Sequence, residues 1–327
     1  MLRTGILPPA IPVGVWEFAV QNTLKSAAVF EGLGLHSGQP VRMVVRPAAE
    51  DTGIVFRRTD LPRRDARILA RWDAVVPSKL CTLVTNDAGA SVSTIEHIMA
   101  ALAGCAIHNA LIDIDGPEVP ILDGSAVPFV ERFLAIGLVE QAATVRALRV
   151  LRPVEVREGE AVARLDPSDM LEIDFRIDFA EKAIGRQEKT LNMANGAFVR
   201  ELCDSRTFCL QADVDRMRAN GLALGGTLEN AVVFEDGAVL SPGGLRHKDE
   251  PVRHKMLDAL GDLSLAGGPI LGRYTGVRAG HALTNRLLRA LFATPGAWEW
   301  VDCGAQTQCK LPGMGVHYGE LPLAAVA

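Results

Sequence analysis

The sequence predicts an α+β protein of two similar sheet-plus-helices halves, packed through their helix layers with the active site at the seam. Short segments in which apolar and polar residues alternate, such as 109–115, indicate half-buried strands. Longer segments with apolar residues at helical spacing, such as 127–136 and 281–292, indicate amphipathic helices. The stretches beginning at residues 97 and 254 also resemble each other, which suggests that one half repeats the plan of the other.

Short strands and turns begin the first half, and the later elements follow a similar order in both halves. In the first half these are a strand at 41–45, a helix from Ser93 to Gly104, a strand at 109–115 and a helix at about 127–136. In the second half they are a helix at 251–266, a strand at about 270–278 and a helix at about 281–292. The helix at 251–266 has the clearest limits, because Glu250 and Pro251 suit a helical start and Gly267 suits a stop.

The chain divides into four segments on this basis. We predict an N-terminal arm at 1–20, a first α+β domain at 21–144, a second α+β domain at 145–300 and a C-terminal tail at 301–327. The arm is mostly apolar, but three prolines and Glu17 interrupt it and no cleavage site clearly follows, so it is not interpreted as a secretory signal. The Gly and Pro content of the tail favours irregular structure.

The composition favours a cytoplasmic protein with a small-molecule substrate. The 327 residues carry a net charge of −5, which disfavours non-specific binding to nucleic-acid phosphates. No stretch approaches the roughly 18–20 apolar residues that span a bilayer, so no transmembrane segment is expected. The six cysteines form no CxxC pair, and a chain of this length does not need disulfides, so we expect reduced thiols. We also expect a monomer.

Three residues are candidate metal ligands. His254 and Asp258 lie one turn apart on the predicted helix and therefore share a face. A shift of 157 residues aligns His254 with His97, and packing of the two helix layers would bring both to one seam. The first half has Ala101 at the position of Asp258, so only the second half supplies a carboxylate. Zinc held by two histidines and an aspartate keeps a position open for water, whose pKa it lowers towards about 7, and iron(II) could use the same ligands.

Glu96, directly before His97, has two interpretations. As a general base it would accept a proton from the water on the zinc without using a coordination position. Alternatively, Ser93 and Glu96 form a capping box, in which the Glu96 side chain accepts a hydrogen bond from the Ser93 amide. The tetrapeptide 93–96 alone favours the cap.

Among the other histidines, His281 has the best context for catalysis. It follows Gly280 at a predicted helix start, and Asp262 could orient the imidazole and stabilise its protonated form. A protonated His281 could give a proton to a leaving amine. His36 lies in a Gly-rich loop, where it could contact substrate or only shape a turn. Structural roles are expected for His108, His247 and His317.

Six stretches of the sequence together carry a family resemblance. They are 32–38 (GLGLHSG), 93–104 (STIEHIMAALAG), 115–128 (DGPEVPILDGSAVP), 205–208 (SRTF), 253–262 (RHKMLDALGD) and 280–283 (GHAL). In number and order they resemble the motifs of the UDP-3-O-acyl-N-acetylglucosamine deacetylases, zinc amidases of lipid A biosynthesis. The resemblance covers about residues 20–300, and it implies hydrolysis of the acetamide of that nucleotide-lipid with one catalytic zinc ion.

The resemblance also implies a role for each candidate residue. The three candidate ligands would hold the zinc, and Glu96 would be the general base rather than mainly a cap. His281, supported by Asp262, would be the acid or cationic stabiliser. Thr207 would donate a hydrogen bond to the oxyanion that forms as water attacks the acetyl carbonyl. Lys255 would face the polar glucosamine and nucleotide end of the substrate, where a cation suits a diphosphate.

An apolar passage for the acyl chain is a further implication of the resemblance. In similar enzymes an insert in the second half forms this passage, and here it corresponds to about 210–234, where Gly225 and Gly226 allow close backbone approach. The matching positions in the insert are Val214, Ala223, Thr227 and Val233. The other expected substrate contacts are His36, Lys79, Leu80, Cys81 and Phe208, of which 79–81 would form the opposite wall near the zinc.

Two other function classes are compatible with parts of the sequence. Two histidines and one carboxylate also form the facial triad of non-haem iron oxygenases, although the pairing of Glu96 with His97 and the absence of an HxD spacing weigh against it. A noncatalytic relative that binds the nucleotide-lipid would lack the base or a ligand, whereas this chain has the full set.

Overall fold

The computed structural model describes residues 18–78, 80–316, 319 and 321, and its mixture of helices and strands confirms the predicted α+β class. Up to residue 144 the strands are β1 (Val20–Leu24), β2 (Ala28–Leu33), β3 (Pro40–Pro47), β4 (Ile54–Arg58), β5 (Arg67–Leu69), β6 (Val75–Val76), β7 (Leu83–Thr85), β8 (Ser91–Ser93), β9 (Ala110–Ile114) and β10 (Leu138–Thr144). The helices of this part are α1 (Glu96–Gly104) and α2 (Val127–Ile136), besides a 3₁₀ turn at Trp72–Ala74.

The remainder of the described chain contains the second set of elements. Its strands are β11 (Arg146–Val150), β12 (Val154–Glu158), β13 (Ala161–Pro167), β14 (Leu171–Asp178), β15 (Arg186–Asn192), β16 (Phe208–Leu210), β17 (Val232–Glu235), β18 (Ala238–Val239), β19 (Ile270–Val277) and β20 (Trp298–Asp302). Its helices are α3 (Ala197–Glu201), α4 (Gln211–Ala219), α5 (Glu250–Ser264), α6 (His281–Ala293) and α7 (Ala305–Gln308). Within the described ranges, no helix has the length and apolar character needed to cross a membrane.

The main sheets of the two parts have corresponding strand orders. One has the order β2-β3-β9-β4-β5, and the other has β12-β13-β19-β14-β15, with β11 and β20 continuing from β19. Within each five-strand order, the third and fourth strands (β9 with β4, β19 with β14) are parallel and the other neighbours are antiparallel. A parallel pair needs a long crossover, and in both parts the crossover contains the helix that borders the seam, α1 or α5. The origin of this correspondence in a duplication stays a prediction, as do the domain boundaries.

A small three-stranded sheet precedes the seam helix in each part. The first, β6-β7-β8, is antiparallel throughout. In the second, β16 and β17 pair in parallel with α4 between them, and β18 completes the sheet. The segment predicted to form the acyl passage is therefore a β-α-β unit rather than an irregular loop.

Helices α1 and α5 pack directly against each other and form the seam. Gly261 permits this close approach, because a Cβ at that position would lie 2.1 Å from the Glu96 carbonyl oxygen. One continuous cluster of buried apolar side chains surrounds the pair and includes Phe56 and Phe129 from the first part and Phe175 from the second. Polar groups in this seam are removed from water, so each needs a specific partner.

Helix α1 begins at Glu96, three residues later than predicted. Ser93 is the last residue of β8, and its N–H donates to the Pro117 carbonyl 2.9 Å away. Thr94 then has a positive φ of 58°, which a β-branched residue rarely adopts and which a right-handed helix does not contain. The predicted start at Ser93 is wrong because strand pairing takes the chain up to that residue.

The start of the predicted tail is regular, contrary to the expectation from its composition. Strand β20 extends to Asp302 because it pairs with β11, and α7 follows shortly afterwards. Cys303 accepts a hydrogen bond from the Ala19 N–H at 2.8 Å, so this stretch also pairs with the first described residues. Most of the predicted arm (1–17), Lys79 and His317 lie outside the described residues.

Candidate active site

His97, His254 and Asp258 lie together in the seam between α1 and α5. His97 is in the first turn of α1, and the other two are one turn apart on α5. Asp258 Oδ1 is 3.3 Å from His254 Nε2 and 3.7 Å from His97 Nε2, and the three donor atoms all lie within 4.8 Å of one another. All three residues are buried. One ion between them could contact every donor.

The donor set fits a divalent metal ion. Asp258 Oδ1 is buried, and it has no hydrogen-bond partner among the described residues, although an isolated buried carboxylate oxygen is unfavourable. His254 Nδ1 donates to the Ser205 carbonyl at 3.0 Å, which leaves the Nε2 lone pair directed towards Asp258. Two imidazoles and one carboxylate are typical of catalytic zinc sites and suit iron(II) as well.

Burial and neighbouring charges set the protonation states of these donors. Burial, together with the neighbouring His254, lowers the pKa of His97 to about 3, and burial likewise lowers the pKa of His254. Burial alone would raise the pKa of Asp258, but His254, Lys255 and His281 hold it well below its usual range. Lys255 acts directly, since its Nζ donates to Asp258 Oδ2 at 2.7 Å. Neutral imidazoles and an ionised carboxylate are the forms that bind metals.

The two carboxylate oxygens of Glu96 have different surroundings. Oε2 accepts a hydrogen bond from the Thr82 N–H at 3.0 Å, and Oε1 lies 3.8 Å from His281 Nε2. Burial raises the pKa of Glu96 to about 7, although His281 opposes this change. A carboxyl group with such a pKa can take up and release a proton near neutral pH. The capping-box interpretation is wrong, because Glu96 bonds to Thr82 and not to Ser93.

His281 begins α6 and is held by Asp262 from α5. His281 Nδ1 lies 2.8 Å from Asp262 Oδ2, in the orientation that the sequence suggested. Burial alone would lower the pKa of His281, but Asp262 and Glu96 together raise it to about 9. Near neutral pH the imidazole is therefore cationic, and its Nε2 faces Glu96.

Several supporting groups were missed by sequence reasoning. Thr82 Oγ1 donates to Asp262 Oδ1 at 2.5 Å, and the Ser205 carbonyl orients His254. Arg206 and Glu250 form a buried ion pair with contacts of 2.9 and 3.2 Å, which fixes the 205–208 stretch to the first turn of α5. The resemblance pointed to that stretch as a motif, but no pattern in the sequence pointed to Thr82.

The 205–208 stretch lies against the candidate metal site. The Thr207 N–H donates to the Gly124 carbonyl, and the Thr207 carbonyl accepts from the Val232 N–H, both at 2.8 Å. The Phe208 ring packs edge-on towards His254, with 6.3 Å between ring centroids. The backbone of Thr207 is thus fixed between a first-part loop and β17.

Two cavities border the seam region at different places. Lys255 lines a small one of about 130 Å³, together with Ile177, Asp178, Phe179, Arg278 and Ala279. A cavity of about 920 Å³ is lined by residues from the later turns of both seam helices, such as Met99, Leu102 and Leu263, and by none of the predicted site residues.

The predicted passage residues of the insert differ in exposure. Val214 and Val233 are buried with Ala231 in a small apolar cluster separate from the main core. Ala223 is also buried, whereas Thr227 is exposed. The close backbone approach expected at Gly225 is present, since a Cβ there would lie 2.3 Å from the Gly34 carbonyl oxygen, in the 32–38 loop.

Residues 80–81, part of the stretch predicted to form the wall of the acyl passage opposite the insert, and the 32–38 loop are both partly exposed. Leu80 is 41% exposed, and Cys81 is buried, which raises the pKa of its thiol. The backbone N–H of His36 donates to Glu118 Oε1 at 2.8 Å. Neither His36 ring nitrogen has a hydrogen-bond partner in the described part of the chain, and burial lowers the pKa of the ring.

Two of the histidines expected to be structural have partners of their own. His108 Nδ1 accepts from the Asn22 N–H at 2.9 Å, and burial lowers the pKa of His108 to about 4. His247 Nε2 lies 2.8 Å from Asp204 Oδ1. Neither belongs to the group of candidate ligands.

Comparison with known proteins gives one consistent result. The model of the LpxC family, described as UDP-3-O-acyl N-acetylglycosamine deacetylase, matches residues 21–293. A UDP-3-O-acyl-N-acetylglucosamine deacetylase of Phenylobacterium zucineum (strain HLK1) is 51% identical over 279 residues, which cover 85% of this chain and 95% of the relative. A protein of the same name from Shewanella frigidimarina (strain NCIMB 400) is 46% identical over 309 residues, 93% of this chain and 99% of the relative.

Proposed function

This chain belongs to the UDP-3-O-acyl N-acetylglycosamine deacetylase family, and on that premise we propose that it hydrolyses the acetamide of UDP-3-O-acyl-N-acetylglucosamine. The products would be acetate and UDP-3-O-acyl-glucosamine, in an early committed step of lipid A biosynthesis. The observation that carries the proposal is the buried triad of His97, His254 and Asp258 with Glu96 and His281 beside it. Amide hydrolysis needs an activated water and a proton for the leaving amine, and this arrangement offers a group for each.

A zinc or iron(II) ion held by the triad would supply the Lewis acidity that activates water and polarises the acetyl carbonyl. The ligand side chains are already oriented for such an ion, since His254 is fixed by Ser205 and Asp258 by Lys255. The presence of a buried base next to the ligands supports hydrolysis over oxygenase chemistry, which has no need of one.

Glu96 would accept the proton of the attacking water. Its Oε1 lies 3.8 Å from His281 Nε2, whereas Oε2 is held by the Thr82 N–H. Because burial raises the pKa of Glu96 to about 7, the carboxylate is basic enough to take this proton and acidic enough to be ionised at neutral pH.

His281 would give a proton to the departing amine and stabilise developing negative charge. Asp262 fixes its Nδ1, so that Nε2 is the nitrogen presented to the site. Thr207 would donate its hydroxyl to the oxyanion, and Lys255 would meet the polar end of the substrate. The remaining contacts that we propose for the substrate are His36, Lys79, Leu80, Cys81, Phe208, Val214, Ala223, Thr227 and Val233.

We propose a cytoplasmic location for the protein. All six cysteines are unpaired, which is typical of proteins in a reducing compartment. The monomeric state is proposed alongside it. Size-exclusion chromatography with light scattering would measure the mass of the particle directly.

Acetate release from the substrate by purified protein tests the function. The metal is first stripped with a chelator, and zinc or iron(II) is then restored, while acetate and the free amine product are quantified. Release that depends on the restored metal is expected. If the folded protein binds the substrate but releases no acetate with either metal, it is instead a noncatalytic relative.

Two histidine variants separate metal binding from general damage. His254→Gln should lose bound metal and activity, because it removes a proposed ligand. His108→Gln is the control, since His108 is a half-buried histidine hydrogen-bonded to Asn22 and lies outside the group of candidate ligands, and it should retain metal. Full metal occupancy in His254→Gln would contradict the ligand set.

A further inference from the structure

Thr82 contacts the carboxylates of both Glu96 and Asp262, two of the proposed proton-transfer residues. It lies immediately before β7, directly after Cys81, and is only 3% exposed. Its backbone N–H donates to Glu96 Oε2 at 3.0 Å, and its hydroxyl donates to Asp262 Oδ1 at 2.5 Å. One residue thus binds the candidate base on α1 and the carboxylate on α5 that holds His281.

Together with the contact between His281 and Glu96, these bonds connect four residues in a closed ring. Asp262 uses Oδ1 for Thr82 and Oδ2 for His281 Nδ1, which lies 2.8 Å away. His281 Nε2 in turn lies 3.8 Å from Glu96 Oε1. Each carboxylate therefore has one oxygen fixed by Thr82 and the other facing His281.

We propose that Thr82 is a positioning residue for the hydrolysis, which holds Glu96 and Asp262 in the orientation that proton transfer requires. The inference rests on the proposed function, because it assigns Thr82 a task in that reaction. A carboxylate turns easily about its last side-chain bond, and a hydrogen bond to one oxygen restricts that rotation. Displacement of a reacting group by about 1 Å can lower a rate by about 100-fold, so the restriction has a kinetic consequence.

The side chain and the backbone of Thr82 can be separated experimentally. Thr82→Val keeps the shape and the N–H bond to Glu96 but removes the hydroxyl that binds Asp262. Thr82→Ser keeps the hydroxyl and removes a methyl group. If Thr82 served only to fill space, the serine variant would be at least as damaging as the valine variant, since serine loses a buried methyl group and valine keeps the branched shape.

Steady-state kinetics of both variants test the proposal. Thr82→Val should lower kcat by about 10- to 100-fold, the size typical for supporting partners of site residues, with KM and metal content unchanged. Thr82→Ser should retain most of kcat. Thr23→Val is the matched control, because Thr23 is also buried and its hydroxyl donates to the Asn109 carbonyl at 2.7 Å, and its kcat should equal that of the wild type.

A double-mutant cycle with Asp262→Asn shows whether Thr82 acts through Asp262. The loss of kcat caused by Thr82→Val should largely disappear in the Asp262→Asn background. Equal losses in both backgrounds, or a wild-type kcat in Thr82→Val, would overturn the proposal.

The wild type, assayed in parallel, keeps the two claims distinguishable. Absence of metal-dependent acetate release from the wild type would defeat the proposed function and with it the kinetic task of Thr82, but not the claim that Thr82 orients Asp262. In that case a crystal structure of Thr82→Val decides the latter, since the Asp262 carboxylate should turn away from His281. An unchanged Asp262–His281 contact would refute it.

Discussion

The carboxylate of Glu96 shows how a single side chain is prepared for proton transfer. Burial in the helix seam raises its pKa to about 7, and the nearby His281 keeps the value from rising further. One oxygen is fixed by Thr82, and the other is 3.8 Å from His281 Nε2. The same burial that makes ionisation costly therefore makes the carboxylate a stronger base than an exposed one.

Glu96→Gln should remove the base while preserving the local structure. Glutamine can still accept the Thr82 N–H through its carbonyl oxygen, but it cannot take a proton from water. We expect kcat to fall by about two to four orders of magnitude, the usual range for general-base catalysis. Metal analysis and substrate titration should give wild-type values, and near-normal turnover would exclude Glu96 as the base.

The activity should have a bell-shaped dependence on pH. Glu96 must be ionised to act as a base, so kcat/KM should rise with pH through about 7. His281 must be protonated to act as an acid, so kcat/KM should fall as pH rises through about 9.

Asp262→Asn should move the descending limb of this profile to lower pH, because Asp262 helps to raise the pKa of His281. Initial rates with saturating metal measure both limbs, and an unmoved descending limb would contradict the assignment.

The candidate ligands could be found in the sequence because they lie at a fixed helical spacing or align at the shift of 157 residues. His254 and Asp258 are of the first kind, and His97 is of the second. Thr82 could not be found in this way, because its partners Glu96 and Asp262 lie 14 and 180 residues away along the chain. Such contacts depend on how loops are placed by the whole fold, and local periodicity does not encode them.

At the scale of elements, the spacing of α1 and α5 determines whether the two sets of ligands meet. Sequence reasoning located α5 to within two residues, since Pro251 and Gly267 mark its ends. It misplaced the start of α1, because the strand pairing of Ser93 and the positive φ of Thr94 depend on tertiary contacts. The shift of 157 residues also aligns Gly104 with Gly261, but the role of Gly261 in the close approach of the helices is visible only in the structure.

Gly261→Ala should disturb the helix seam. The added methyl group would lie 2.1 Å from the Glu96 carbonyl oxygen, so the helices must separate. Overpacking of this kind costs about 1–3 kcal/mol, and the better helix propensity of alanine offsets no more than about 1 kcal/mol. Chemical denaturation should show a lower free energy of unfolding, and kcat should fall as Glu96 moves. Gly116→Ala is the control, since its Cβ would meet Val41 at an ordinary 3.5 Å. Equal stability of the two variants would argue against a tight seam.

At the scale of the whole molecule, the candidate metal site connects the two parts of the chain. His97 belongs to the part that precedes residue 144, whereas His254 and Asp258 follow it. The apolar core is continuous across the seam, so neither part buries its helix without the other. The sequence predicted a repeated order of elements, and the two main sheets have corresponding strand orders. The sequence did not predict which strands pair, because the register between distant strands has no local signal.

Metal binding should therefore stabilise the molecule as one unit. A ligand that binds only the folded state adds about 2.7 kcal/mol when its free concentration is about 100 times Kd. With an unfolding entropy of about 2.1 cal/mol/K per residue, each kcal/mol raises the Tm of a 327-residue chain by roughly 1.5 °C, so calorimetry should show a rise of about 4 °C in a single transition. His97→Gln should abolish the rise even though two of the three donors remain on α5. A second transition that shifts with metal while the first does not would show that the two parts unfold independently and that the metal is held by α5 alone.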